Sequence, residues 1–187
     1  MAVDNRILIK TDSHDRDYAV SSTVKFQLNR GNIAKNLISK KANLFFKDSY
    51  FLLGARDGAK NKRSKTEYSE IIALNKGEGF FETGNGGIVP KRDIFTVIKL
   101  ARADIIEFAL ELWGNKRITI RNYRNFIATL AQSAIEMIQI YVRANMVGFP
   151  AIAEKTKKSR VVKTHPESPM FDTGDLLNAL EYEIYLK

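Results

Sequence analysis

Between Asn122 and Asn145 the apolar residues Tyr123, Phe126, Ile127, Leu130, Ala134, Met137, Ile138, Tyr141 and Val142 recur at spacings of three and four. That rhythm is the period of an α-helix with one wet face, and a run this long leaves little room for another reading. A second segment of the same kind lies just before it. It begins soon after Pro90, with Asp93 a candidate cap or first-turn anion, and Gly114 terminates it. Its apolar face uses Phe95, Ile98, Ala101, Ile105, Phe108, Ala109 and Leu112. Only Asn115 to Arg121 separates the two, a link short enough to predict an antiparallel helical hairpin.

The flanking regions follow a different period. Val24, Phe26 and Leu28 alternate with Lys25, Gln27 and Asn29, the mark of a half-buried strand. Before them, Arg6 to Lys10 is a short apolar run and Thr11 to Asp17 a polar loop. A helix is expected from Gly31-Asn32, with Ile33, Leu37, Leu44, Phe45 and Leu52 on one face and Gly54 as its stop. Tyr68 to Phe81 carries Ile71, Ile72, Leu74, Phe80 and Phe81 and predicts one strand or a bent pair. Gly84-Asn85-Gly86-Gly87 then reads as a turn, since both residue types tolerate positive φ.

Gly148-Phe149-Pro150 ends the second long helix. Leu176, Leu177 and Leu180 suit one helical turn capped by Asp172 or Thr173. Tyr182, Ile184 and Leu186 alternate with Glu181, Glu183 and Tyr185 as a terminal strand. The expected class is therefore α+β: a small, mostly antiparallel sheet packed against a long helical hairpin, with a C-terminal short helix and strand. The 187 residues fit one domain, 23–187, with 1–22 as an N-terminal extension.

With no cysteine, disulfide scaffolds, thiolate metal sites and cysteine nucleophiles are excluded. No stretch approaches the roughly 18 uninterrupted apolar residues of a membrane span, and Met1 to Lys10 holds no secretion signal core, so the chain reads as one assembled in a cytoplasm.

Sites for chemistry are sparse. Asp12-Ser13-His14-Asp15-Arg16-Asp17 crowds three carboxylates and an imidazole, but it lacks the glycine and glutamate of a calcium loop, and Arg16 competes with a cation. A polar hairpin loop explains it. His165, Ser168 and Asp172 invite a triad, yet no Gly-x-Ser-x-Gly elbow exists and Ser168 sits in a turn between Glu167 and Pro169. The glycines at 84–87 lack the Lys-Ser/Thr ending of a phosphate loop. Asp104, Glu107 and Glu111 stand at helical spacing, where a solvated face accounts for them. No catalytic, cofactor or metal site is expected.

Charge offers the better lead. Thirty Lys and Arg against 21 Asp and Glu give +9, a balance that favours polyanions or acidic protein surfaces and also serves plain solubility. Two stretches concentrate it: a loop near 55–67 with Arg56, Lys60, Lys62, Arg63 and Lys65, and one near 153–165 with Lys155, Lys157, Lys158, Arg160 and Lys163. Neither interleaves aromatics for base stacking, so both read as phosphate or partner contacts, or as solvated loops.

One segment is more specific. Pro169-Met170-Phe171-Asp172-Thr173-Gly174-Asp175-Leu176-Leu177-Asn178-Ala179-Leu180-Glu181-Tyr182-Glu183-Ile184 resembles the ending of small neck and tail-completion proteins of tailed bacteriophages, the virion-morphogenesis group. There a proline and two apolar residues precede Asp-Thr-Gly, a short helix and a final strand. Gly87 to Phe95, containing Pro90 and Arg92, is similar to the family's Pro-x-Arg-Pro-Phe segment that opens the long helix. Tyr68 to Gly77 resembles the strand before it. Order and spacing hold from about Thr23 to Lys187. Asp93 departs from the family's proline, Ile94 is an extra residue before Phe95, Asp175 replaces a basic residue, and the loop from Gly54 to Thr66 is long.

The resemblance implies a structural virion protein, not an enzyme and without a cofactor: a ring, expected to be a hexamer, joining the tail to the portal and its adaptor. Its implied partners are further copies of itself, a portal-adaptor or head-completion protein, a tail terminator, tail tube or sheath protein, and DNA passing through the lumen, with no membrane. It implies interface or structural roles for Pro90, Arg92, Phe95, Pro169, Asp172, Thr173, Gly174 and Leu177, with the two basic loops as adaptable arms. The rival expectation is a basic nucleic-acid-binding accessory protein, marked by a steep salt dependence on free duplex.

Overall fold

The structure is a computed structural model, and it describes residues 24–27, 49–62, 64–82, 86–152, 158 and 174–186. The described chain is α+β. A three-stranded antiparallel sheet has the order β1-β2-β5, where β1 is Val24–Gln27, β2 is Tyr50–Ala55 and β5 is Leu180–Tyr185. Helix α1 spans Tyr68–Asn75, and strands β3 (Phe80–Glu82) and β4 (Ile88–Pro90) form a separate antiparallel ribbon. Helices α2 (Thr96–Leu100), α3 (Arg102–Trp113) and α4 (Tyr123–Arg143) follow, and the one-turn α5 (Asp175–Asn178) leads into β5.

The sequence rhythm of α4 translates directly into burial. Phe126, Leu130, Ala134, Ile138 and Val142 are fully enclosed, and Ala131, Ser133 and Ile135 are buried as well. The enclosed surface is wider than a single stripe because α4 meets α2 and α3 as well as β2 and β5. Ser133 can be buried because its hydroxyl donates to the Thr129 carbonyl at 2.9 Å, leaving no orphan donor. Trp113 at the end of α3 makes an edge-on contact with Phe126 near the start of α4, with centroids 5.4 Å apart. Tyr141, near the end of α4, reaches Asp104, near the start of α3. The two helices therefore run antiparallel.

Where one continuous helix is expected from Asp93 to Gly114, the chain bends at Ala101, whose ψ of 21° separates α2 from α3. Ala101 is fully buried, and neither proline nor glycine marks the bend. Of the expected face, Phe95, Ile98, Ala101, Ile105 and Ala109 are buried, while Leu112 is exposed.

Two other expectations are overturned. The helix proposed to run to Gly54 is, over residues 50–55, the central strand β2. Phe51 and Leu53 point into the core, and Gly54 pairs with Glu181 instead of ending a helix. The remainder of that proposed helix lies outside the described residues. Tyr68 to Asn75 is a helix, not a strand, with Tyr68, Ile72 and Asn75 buried on one side. The strand β3 takes up only its last two residues, Phe80 and Phe81.

The terminal strand forms as the alternation predicts. β5 pairs along its whole length with β2, from Ala55 opposite Leu180 to Tyr50 opposite Tyr185. The last pair stacks its rings at 4.9 Å and 12°. In the hairpin between β3 and β4, Gly86 takes φ +74°, while Gly84 and Asn85 fall outside the described residues.

Candidate functional site

The first basic stretch is not a free arm. Main-chain hydrogen bonds cross its tip: Asn61 N–H donates to Thr66 O and Lys65 N–H to Asn61 O, both at 2.9 Å. Tyr68 N–H closes the base of the loop on Ala59 O. Three of its cations each face a carboxylate. Arg56 lies 3.9 Å from Glu181, Lys60 3.4 Å from Glu67, and Lys62 3.7 Å from Asp175. Lys65, exposed, takes φ +61° at the tip, and Arg63 lies outside the described residues.

This loop and the C-terminal turn border a shallow groove of about 330 Å³ lined by Arg56, Lys60, Lys62, Tyr68, Asp175 and Asn178. Burial, helped by the Asp175 charge, pushes the Tyr68 hydroxyl above its ordinary pKa. Of the sequence-expected basic loop, Arg56, Lys60 and Lys62 are thus matched by carboxylates where they stand. Of the second basic stretch only Lys158 is described, exposed and helical; Lys155, Lys157, Arg160 and Lys163 lie outside the described residues.

Arg92 and its neighbours form a buried polar knot. The Arg92 guanidinium donates from Nε and Nη2 to Pro150 O, both at 3.3 Å, and from Nη2 to Ala151 O at 3.4 Å. Its main-chain N–H donates to Asn75 Oδ1. Asp93 accepts from Gly77 N–H and from Phe95 N–H. Lys76 beside it is buried, which lowers its pKa against the opposing pull of Asp93. The knot joins the end of α1, the entry to α2 and the chain leaving α4. Pro90 ends β4, half-buried, and Phe95 is buried against the core. Arg92 is spent on this internal tie.

In the C-terminal segment, Gly174 adopts φ +82° as the residue preceding α5, a left-handed conformation costly for any residue with a Cβ. Among the described residues no side chain caps α5. Pro169, Asp172, Thr173, His165 and Ser168 lie outside the described residues. Leu177 is fully buried, and its carbonyl accepts from Gln139 Nε2 at 3.1 Å, which fixes the turn to α4.

A further group of cations escaped the sequence reading. Lys116, Arg117, Arg121 and Arg124 are all exposed around the turn from α3 to α4. An open groove of about 620 Å³ runs along the adjoining outer surface of α3, with Ile106, Leu110, Glu107 and Glu111 in its walls.

Among the described residues no cluster of three or more His, Asp or Glu is placed to hold a metal ion. No described helix is long and apolar enough to cross a membrane. Comparison with protein-family models, curated proteins and solved structures yields no match.

Proposed function

We propose that the protein is a structural virion component of a tailed bacteriophage, a ring-forming neck or tail-completion subunit joining the tail to the portal and adaptor. The observation that carries this reading is the fold-back of the C-terminal segment. A left-handed Gly174, the buried Leu177 and strand β5 complete the sheet at one end of its order, so the segment that carries the resemblance is also the segment that closes the subunit. An end strand offers its outer edge to a neighbouring chain. Copies repeated by one rotation through a head-to-tail interface would close into a ring.

The β3–β4 ribbon supports the same reading. Phe80 lies opposite Pro90 and Ile88 opposite Glu82, so Phe80 and Ile88 share a face, and they are 68% and 74% exposed. In the ring a neighbouring copy covers them. Native mass spectrometry tests the proposal. A closed oligomer, six copies by expectation, supports it, and Phe80→Ser with Ile88→Ser should shift the population toward monomer. A wild-type chain that stays monomeric at all concentrations, and is absent from any viral particle, overturns it.

The second reading is a basic accessory protein of nucleic acid. What favours it is the set of exposed cations at the α3–α4 turn, Lys116, Arg117, Arg121 and Arg124.

A further inference from the structure

We infer that Lys116, Arg117, Arg121 and Arg124 form a contact surface for the phosphate backbone of double-stranded nucleic acid. All four are exposed. Among the described residues none is held by a carboxylate: the salt bridges found join Arg56, Lys60 and Lys62 to acids, and none involves these four. The local sequence explains why, since no Asp or Glu occurs between Glu111 and Glu136. Cations with carboxylates at hand lose much of their attraction for phosphate, so this turn offers its charge more freely than Arg56, Lys60 and Lys62 do.

The surface is also held in place. Ile118 is fully buried and anchors the middle of the turn. Trp113 Nε1–H donates to Lys116 O at 2.8 Å. Asn122 ties both sides, accepting Thr119 N–H at 2.7 Å and donating from Nδ2 to Arg117 O at 3.0 Å. The backbones bearing the cations are therefore ordered before a ligand arrives, which reduces the entropy lost on binding. The positive end of the α4 dipole adds to the same field.

Duplex is favoured over single strands by the aromatics. Tyr123 and Phe126 are buried, and the Trp113 ring is engaged with Phe126 and Lys116, so among the described residues no free stacking platform flanks the cations. Four phosphate contacts give a slope of about −3.6 in log affinity against log salt, roughly a 150-fold loss between 50 and 200 mM. Binding of one copy at physiological salt would be weak, in the ~10⁻⁴ to 10⁻⁶ M range of non-specific contacts. The inference rests on these charges and not on ring formation.

The test is anisotropy of a labelled duplex against the full chain over a salt series. Replacing all four cations with Gln should reduce the slope magnitude by about 3 to 4, and each single change Arg121→Gln or Arg124→Gln by about 1. Arg117→Lys, Arg121→Lys and Arg124→Lys together should keep it, and Lys60→Gln with Lys62→Gln should change it by less than 1. Near-UV circular dichroism of Trp113 checks the fold, and the single variants carry the test should the quadruple one misfold. A slope unchanged in the four-Gln chain and in the singles overturns the inference. So does tighter binding of polyglutamate or of a single strand than of duplex at equal charge concentration, which would assign the surface to an acidic protein or to unpaired bases. The oligomeric mass, measured separately, tells a failure of this inference from a failure of the ring.

Discussion

The Tyr141 hydroxyl donates a 2.7 Å hydrogen bond to the Asp104 carboxylate, tying the last turns of α4 to the first turn of α3. It is the polar counterpart of the Trp113–Phe126 contact at the opposite end of the same helix pair. Between them these two contacts fix the register of the helices against sliding.

Removing that hydroxyl should be felt modestly. Asp104 is solvent-exposed, so water competes for its oxygens, and Tyr141→Phe should cost about 0.5–1 kcal/mol. The urea midpoint would fall with an unchanged m-value. A double-mutant cycle with Asp104→Asn should give a coupling energy of the same size, and zero coupling would deny the bond a role in stability.

A larger effect is expected at Leu177. The side chain is fully enclosed in the core, so Leu177→Ala leaves a cavity worth about 2–5 kcal/mol. Gly174→Ala adds strain of a different origin, because φ +82° excludes a Cβ at roughly 1 kcal/mol or more. Amide exchange along β5 reports both, and protection equal to wild type in either variant would count against a closing role for this turn.

Much of this architecture is readable from periodicity, for physical reasons that also explain the failures. Helix α4 is long enough for many turns to repeat one pattern, and β5 shows its alternation because one face is wet. Strand β2 is paired on both sides, and Leu52 sits at a spacing that also fits the helical face expected from Ile33 through Leu44. Helix α1 buries Tyr68, Ile72 and Asn75, a helical spacing disguised by a polar third member, whose side chain is satisfied by Ile71 O and the Arg92 N–H. The cations from Lys116 to Arg124 are interrupted by Ile118, Thr119 and Ile120, so they form no run. The signal that marks them is the stretch around them without acids. No pattern of spacing discloses that the Arg56 loop meets its own carboxylates, since Asp175 and Glu181 are more than a hundred residues away in the chain.

Those loop pairs should matter little to stability. Lys62 is exposed, and such pairs are worth about 0–1 kcal/mol. Lys62→Gln should therefore shift the thermal midpoint by no more than a few degrees at low salt and not at all in 1 M NaCl, where screening removes the attraction. A large, salt-independent loss would show that Lys62 serves in packing instead.

Alkaline pH should unfold the protein through Tyr123. This side chain is only 4% exposed at the start of α4, and burial pushes its hydroxyl up to about 12, with a hydrogen bond to Ser49 pulling the other way. The unfolded chain releases the same proton near 10. Because the folded value is the higher one, the contribution to stability is complete below pH 10 and is lost as pH climbs toward 12, where the unfolded state has given up its proton and the folded state still holds it. Urea unfolding at a series of pH values from 8 to 11 should show wild-type stability falling more steeply above 10 than that of Tyr123→Phe, which has no proton to release. Tyr68 and Tyr141 are shifted in the same direction and act alike in both proteins, so the difference between the two slopes belongs to Tyr123. Parallel slopes would mean that the phenol ionises as readily in the folded chain as in the unfolded one, and that the buried start of α4 is open to water.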